Sequence, residues 1–269
     1  VARCARPDAT RNLPRRTNSA RRSRLANTFG HFSLGLGKVS FDRLASHYQW
    51  IEAVAFGRDL QRARLAFLEE LDSPRRALLA GEGDGRFLIE LLRRFPDLPV
   101  DCIDGSGGML AIAQKRVQMK MAKSAGNIRF IKAAIDSAPL SESRYDLIVT
   151  HFFLDCFTQP QLKSLVAKLA RSAAPNATWL IADFCYPNSH IGQWRARLWI
   201  NAMYWFFRAV TEINAQTLID LAPFLRLENF RCARRQLFNH GMIKSEVWKH
   251  VSLPINCRPE ETKAILATR

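Results

Sequence analysis

Three groups of residues in this 269-residue chain have types and spacings that could do chemistry. The first is Gly81-Glu82-Gly83-Asp84-Gly85, directly after the apolar run Ala77 to Ala80. Glycines tolerate positive φ and let a backbone approach a ligand where any Cβ would clash. The second is Asp104, which ends the next apolar run and could accept both hydroxyl protons of a ribose. The third is His151 and Asp155, just past a later apolar run. A neutral imidazole can take a proton from a hydroxyl or an amine, and on a helix the i, i+4 spacing would put both side chains on one face.

The patterning around these residues says what must hold them. Short apolar strands are expected at 76–80, 99–104, 128–132, 145–151 and 177–184. Amphipathic helices fall between them near 86–95, 107–122 and 160–171. Such alternation implies a mostly parallel sheet covered on both faces, with ligands at the carboxyl ends of the strands. The glycine loop, Asp104, the stretch 134–136 and His151 to Asp155 all lie on that edge. One shared site follows. Ahead of the first strand, Phe41, Leu44, Tyr48, Ile51 and Val54 recur at helical spacing, as do Leu60, Ala63, Phe67 and Leu71, before Asp72-Ser73-Pro74 breaks the pattern. After Phe184, residues 193–210 form an aromatic-dense helical segment and 212–224 a further helix. Residues 227–237 and 242–250 read as an antiparallel strand pair.

The spacing in the loop selects among nucleotide ligands. A dinucleotide fingerprint G-x-G-x-x-G would need glycine where Arg86 stands, and no G-x-x-x-x-G-K-[ST] phosphate loop occurs. The G-x-G-x-G spacing with Asp104 instead resembles motif I of the class I S-adenosylmethionine (SAM) dependent methyltransferases. Residues 104–117 resemble that family's helix after the second strand, and 128–140 its third strand and adenine loop. Residues 145–157 resemble motif IV beside the transferred methyl, and 173–184 the fifth strand. The chain departs from the family at Leu79 and Ala134, where many members carry acids.

The resemblance implies a Rossmann-like, doubly wound, mostly parallel α/β sheet of seven strands with a C-terminal antiparallel hairpin and an N-terminal helical lid. It implies SAM as cofactor, with Gly81, Gly83, Gly85, Asp104, Gly105, Ala134, Ile135 and Thr150 around it. Loop N–H groups and the following helix N-terminus would favour the cofactor carboxylate. Glu82 and Asp84 read as solvent-facing turn residues. His151 and Asp155 are the catalytic candidates, and Tyr48, Phe153, Trp194 and Tyr204 the candidate acceptor pocket. The aromatic segment favours a small apolar or aromatic acceptor. An RNA or nucleic-acid methyltransferase, and a catalytically silent or polyamine-type relative, stay open as alternatives.

Composition narrows the class further. With 48 % hydrophobic residues the chain can bury a substantial core. Cysteines 4, 102, 156, 185, 232 and 257 show no C-x-x-C spacing, which argues for free thiols, a cytoplasmic setting and no metal site. No apolar run is long enough to span a bilayer. The net charge is +16, and eight arginines against Asp8 alone in residues 1–30 supply close to half of it. That basic run, 1–37, reads as a disordered arm, a transit-like segment, or residues upstream of a natural start. The methyltransferase domain is expected at 38–255 with a helical insertion near 188–224, followed by a tail at 256–269. Arginines flanking the aromatics of 193–210 would also suit peripheral membrane contact.

Overall fold

The structure, a computed structural model, describes residues 58–187 and 218–251. Its elements in chain order are α1 (Asp59–Leu65), β1 (Ala77–Ala80), α2 (Arg86–Arg94), β2 (Val100–Asp104), α3 (Gly107–Lys120), β3 (Ile128–Lys132) and β4 (Tyr145–His151). Then follow α4 (Gln159–Ser172), β5 (Ala173–Phe184), α5 (Ala222–Leu227), β6 (Phe230–Phe238) and β7 (Ile243–His250). The strands form one seven-stranded sheet in the order β3-β2-β1-β4-β5-β7-β6. The first five strands pair in parallel, and β7 lies antiparallel to both β5 and β6. The expected doubly wound sheet and terminal hairpin are both present.

Strand period two divides the core between the two faces. Ala77, Leu79, Leu147, Val149 and Leu180 point to the face that α2 covers with Phe87, Leu88 and Leu91. Leu78, Ala80, Ile148, Trp179 and Ile181 point to the other face, packed by Leu162, Leu165 and Leu169 of α4 and Leu225 of α5. All four residues of β1 are buried, as a strand covered on both sides requires. The parallel order places the ends of β1, β2 and β4 side by side, with chain reversal after β1 at the glycine loop.

Helix boundaries agree with the sequence pattern to within a few residues. The helix expected over 212–224 falls partly outside the described residues; within them 218–221 are not helical and α5 runs Ala222–Leu227, where Pro223 suits a first turn and the chain leaves for β6 past Asn229, whose φ is +61°. The proposed lid with Tyr48, the aromatic segment with Trp194 and Tyr204, and the arm and tail lie outside the described residues. No helix among the described residues is long and apolar enough to cross a membrane.

Candidate active site

The glycine loop turns β1 into α2 with φ of +69°, +69° and +80° at Gly81, Gly83 and Gly85, a left-handed path that only glycine follows cheaply. The three have different neighbours. A Cβ at Gly81 would run into the Phe153 ring, and one at Gly85 would stand 2.9 Å from the Ala113 Cβ of α3. Gly83 and Gly105 face open space. Asp104 ties these parts together: Gly83 N–H donates to its Oδ2 (3.1 Å) and Ser106 N–H to its Oδ1 (2.8 Å). The carboxylate at the tip of β2 therefore holds the loop at the tip of β1.

Glu82 and Asp84 turn inward, contrary to the solvent-facing expectation. Asp84 is buried and ion-paired with Arg86 of α2 (3.1 Å) and Arg116 of α3 (3.2 Å), so it fastens the loop to both helices. Glu82 accepts from the Leu88 N–H in the first turn of α2 (2.9 Å). Burial pushes its carboxyl up to about 8 despite that bond and the nearby Arg64. The first turn of α2, which the sequence offered to a cofactor carboxylate, is thus already met by the chain's own acid.

At the adenine end, Ile135 is buried and Ala134 exposed, with the Ala134 carbonyl accepting from Ser137 and Ala138 N–H. Asp136 is exposed and accepts from Ser137 N–H. Thr150 is fully buried, and its hydroxyl oxygen accepts from Trp179 Nε1 (2.9 Å). Its side chain belongs to the core under the site and is not brought to the glycine loop.

The segment after β4 does not continue as a helix. Phe152 donates its N–H to the Ala182 carbonyl (2.7 Å) while adopting φ +52°, and a short 3-10 turn over Leu154–Cys156 follows. His151 and Asp155 therefore do not share a helical face. His151 follows the parity of Leu147 and Val149 and meets the Phe87 ring of α2 edge-on at 4.6 Å. Its Nδ1 is buried without a hydrogen-bond partner. Burial, helped by the positive Arg64, lowers its pKa to about 3, so the imidazole is neutral throughout the physiological range. Asp155 instead lines a cleft shared with Asp183, on the opposite face of the sheet.

Phe153 stands between the two parts of the site. Its ring covers Gly81 and meets Phe157 in a T-shaped contact at 5.1 Å. Phe157 in turn lines a small cleft, partly open to solvent, with Leu154, Asp155, Asp183, Ile219 and Lys244. Sequence reasoning missed Asp183 and Lys244. Both sit where strand parity buries them, directly opposite each other across the β5–β7 ladder. The alternation Trp179, Ile181, Asp183 on one face is the signal that could have marked an inward acid.

A glycine loop coupled to an acid at the tip of β2, on a sheet ordered 3-2-1-4-5-7-6, defines the class I SAM-dependent methyltransferase fold. Residues 77–176 match the family model described as "Methyltransferase domain", so this stretch is similar to the domains of that superfamily, whose cofactor is SAM. A stretch of 116 residues is 32 % identical to malonyl-[acyl-carrier protein] O-methyltransferase of Halalkalibacterium halodurans. The match spans 42 % of this chain and about 40 % of that relative's length. Among solved structures, a SAM-dependent methyltransferase from Methanosarcina mazei superposes with a TM-score of 0.56 at 17 % identity, over 70 % of this chain and 98 % of that one. An O-methyltransferase family protein from Burkholderia thailandensis gives 0.58 at 14 % identity, over 81 % and 65 %. These two likenesses are likenesses of fold.

The residues present fit the cofactor. The open space over Gly83 and Gly105 leaves room at the loop, and the Asp104 carboxylate stands at its edge.

Proposed function

We propose that the protein transfers a methyl group from SAM to a small acceptor with an apolar or aromatic body. The observation that carries this reading is the coupling of Gly83 to Asp104 beneath open space, since it links the part of the loop that would hold methionine to the acid that would hold ribose. Gly81, Gly83 and Gly85 would border the methionine portion, Asp104 and Gly105 the ribose, and Ala134 and Ile135 the adenine. When bound, the cofactor supplies an electrophilic methyl on a sulfonium centre. The chain's own contribution is to hold the acceptor in line and to exclude water, which can supply much of the rate by itself.

The Phe153 ring, which lies over Gly81 and packs against Phe157, supports an acceptor with an apolar or aromatic body beside the loop. Tyr48, Trp194 and Tyr204, the other candidates for the acceptor pocket, lie outside the described residues. Of the two candidate proton acceptors, His151 is neutral but weakly basic, because its surroundings disfavour the imidazolium. Asp155 is better suited, since burial raises its carboxyl to about 6, close to the operating pH that favours general-base work. The "O-methyltransferase" in the curated relative's name favours oxygen as the atom methylated.

Calorimetry with SAM and S-adenosylhomocysteine tests the reading. The wild type is expected to bind both. Asp104→Ala should weaken binding about 10- to 150-fold, the roughly 1.5–3 kcal/mol of a lost charge-assisted contact. Asp104→Asn, which keeps the shape of the loop contact, separates ligand loss from loop loss. A folded wild type that binds neither ligand would sink the proposal and favour the silent-fold alternative; methyl incorporation into RNA would favour the nucleic-acid one.

A further inference from the structure

Asp101 is the second residue of β2, at the end of the strand away from the glycine loop, and it is 1 % exposed. Parallel register sets it beside Leu78 of β1 and Arg129 of β3. Its carboxylate accepts from Arg129 Nε (3.0 Å) and Nη2 (2.8 Å) and from the Tyr145 hydroxyl (2.6 Å). Two further guanidiniums close on the same group. Arg76 Nη2 stands 3.8 Å from Oδ1, and Arg144 Nε 3.9 Å from Oδ2. Both arginines are held there by their backbones: Asp146 accepts from the Arg76 N–H (2.9 Å), and the Ser172 carbonyl at the end of α4 accepts from the Arg144 N–H (2.9 Å).

One cation is enough to offset a buried carboxylate, and a second or third is repelled by the first. Among the described residues Asp101 is the one carboxylate paired with Arg76, Arg129 or Arg144, so the three guanidiniums and their acid leave a net charge of +2. The neighbouring Arg75 and Asp146 pair with each other and leave that balance unchanged. Tyr145 adds no charge of its own, since burial and its bond to Asp101 push its hydroxyl up to about 12. The shortage of acceptors shows in the hydrogen bonds as well. Arg76 Nε and Arg144 Nε are both buried without a hydrogen-bond partner, a cost that an acceptor would remove. The cluster is not sealed from solvent: the side chains of Arg76, Arg144 and Arg129 are 32 %, 35 % and 57 % exposed, so a dissolved anion can reach them.

We infer that Arg76, Arg129 and Arg144, gathered around Asp101, form an anion site for the terminal phosphoryl group of a phosphorylated small molecule, on the edge of the sheet opposite the glycine loop. Guanidinium forks match the oxygens of a phosphoryl group two at a time. A phosphomonoester carries close to two negative charges at neutral pH, so it offsets the net +2 of the cluster, whereas a phosphodiester or a carboxylate offsets half of it. Asp101, buried beneath the three side chains, orients them and keeps the anion on their outer side. Methyl transfer uses none of these residues, so the site binds whether or not the cofactor is present.

The test is calorimetry on the full chain at neutral pH and low ionic strength, with phenyl phosphate as the dianionic probe and dimethyl phosphate as the monoanionic one. The wild type should bind phenyl phosphate at least about ten-fold more tightly than dimethyl phosphate. Arg76→Met and Arg144→Met should each weaken phenyl phosphate by about ten-fold or more, and Arg144→Lys, which keeps the charge but not the fork, should fall between wild type and Arg144→Met. Arg234→Met removes the same charge from β6 and should stay within about two-fold of wild type, which separates a built site from the general attraction of a basic protein. Chemical denaturation gives a second readout. Without phosphate, Arg144→Met should match the wild type in stability, because it relieves repulsion while Arg129 still pairs with Asp101. With phenyl phosphate the wild type should gain stability that the variant does not. The inference is overturned if the folded wild type does not bind phenyl phosphate, or if Arg234→Met loses as much affinity as Arg144→Met. It also fails if Arg144→Met is clearly less stable without phosphate, which would make Arg144 a plain partner of Asp101. Tighter binding of a short single-stranded oligonucleotide without a terminal phosphate, through the same arginines, would overturn it in favour of a nucleic-acid backbone.

Discussion

The glycine-loop half of this site and the half proposed to take the acceptor are built on different principles. The cofactor half is one continuous piece of chain, Ala77 to Asp104, in which strand, glycine loop, helix and second strand bring their own ends together. The acceptor half draws Asp155 from a turn, Asp183 from β5 and Lys244 from β7, and the register of two strand pairs joins them. Local assembly makes the first half rigid and easy to recognise. The second depends on which strand lies beside which, so its buried charges are exposed to any slip in register.

The largest way to break this contrast lies in the loop. Gly81→Ala should destabilise the protein by about 2–4 kcal/mol, because it combines a left-handed φ with displacement of Phe153 from between the two halves. Gly83→Ala carries the same φ but meets no neighbour, and should cost only about 1 kcal/mol while still weakening cofactor binding. Chemical denaturation of both variants checks this. Equal costs would mean that Phe153 does not pack on Gly81 as described.

Next in size is the ion pairing on β7. Glu246→Ala leaves Arg235, and Lys244 beside Asp183, without their shared partner. A loss of about 2–3 kcal/mol is expected, held below the usual cost of breaking a buried pair because the Arg235 side chain is half exposed. Differential denaturation against wild type measures it, and a neutral result would show that Asp183 takes over as partner.

His151 and the Asp155–Asp183 pair should also respond to pH with opposite signs. His151 has a folded pKa near 3, below its ordinary 6.5, so the folded state resists its protonation. Its contribution is present above pH 6.5 and fades as the pH falls, by about 2 kcal/mol between pH 8 and pH 5. The Asp155–Asp183 pair is raised, so its contribution is present below about pH 4 and fades as the pH rises through 6. Stability curves for His151→Gln and Asp183→Asn should therefore flatten on the acid and on the neutral side respectively. If both variants changed the same limb, the assignment of the two groups to opposite environments would be wrong.

Much of the cofactor half was legible in the chain. Glycine spacing, the acid ending β2 and the strand-helix alternation are local signals, and the structure follows them closely. The capping of α2 by Glu82 and the pairing of Asp84 with Arg86 and Arg116 were not foreseen, because a charged turn residue looks solvent-facing until helices close over it. The separation of His151 from Asp155 was missed for a different reason. An i, i+4 spacing means one face only on a helix, and here a strand end, a left-handed Phe152 and a 3-10 turn lie between them.

Sequence alone determined the elements, their parallel order and the ends at which ligands gather, since these follow from apolar periodicity and from glycine's freedom at positive φ. Tertiary structure decided the chemistry of the proposed acceptor side. Cross-strand register set Asp183 against Lys244, the inward parity of both strands removed them from water, and the turn after β4 brought Asp155 to the pair. A carboxyl's affinity for its proton depends on what surrounds it in space. Residues 155, 183 and 244 became each other's surroundings only when the sheet closed.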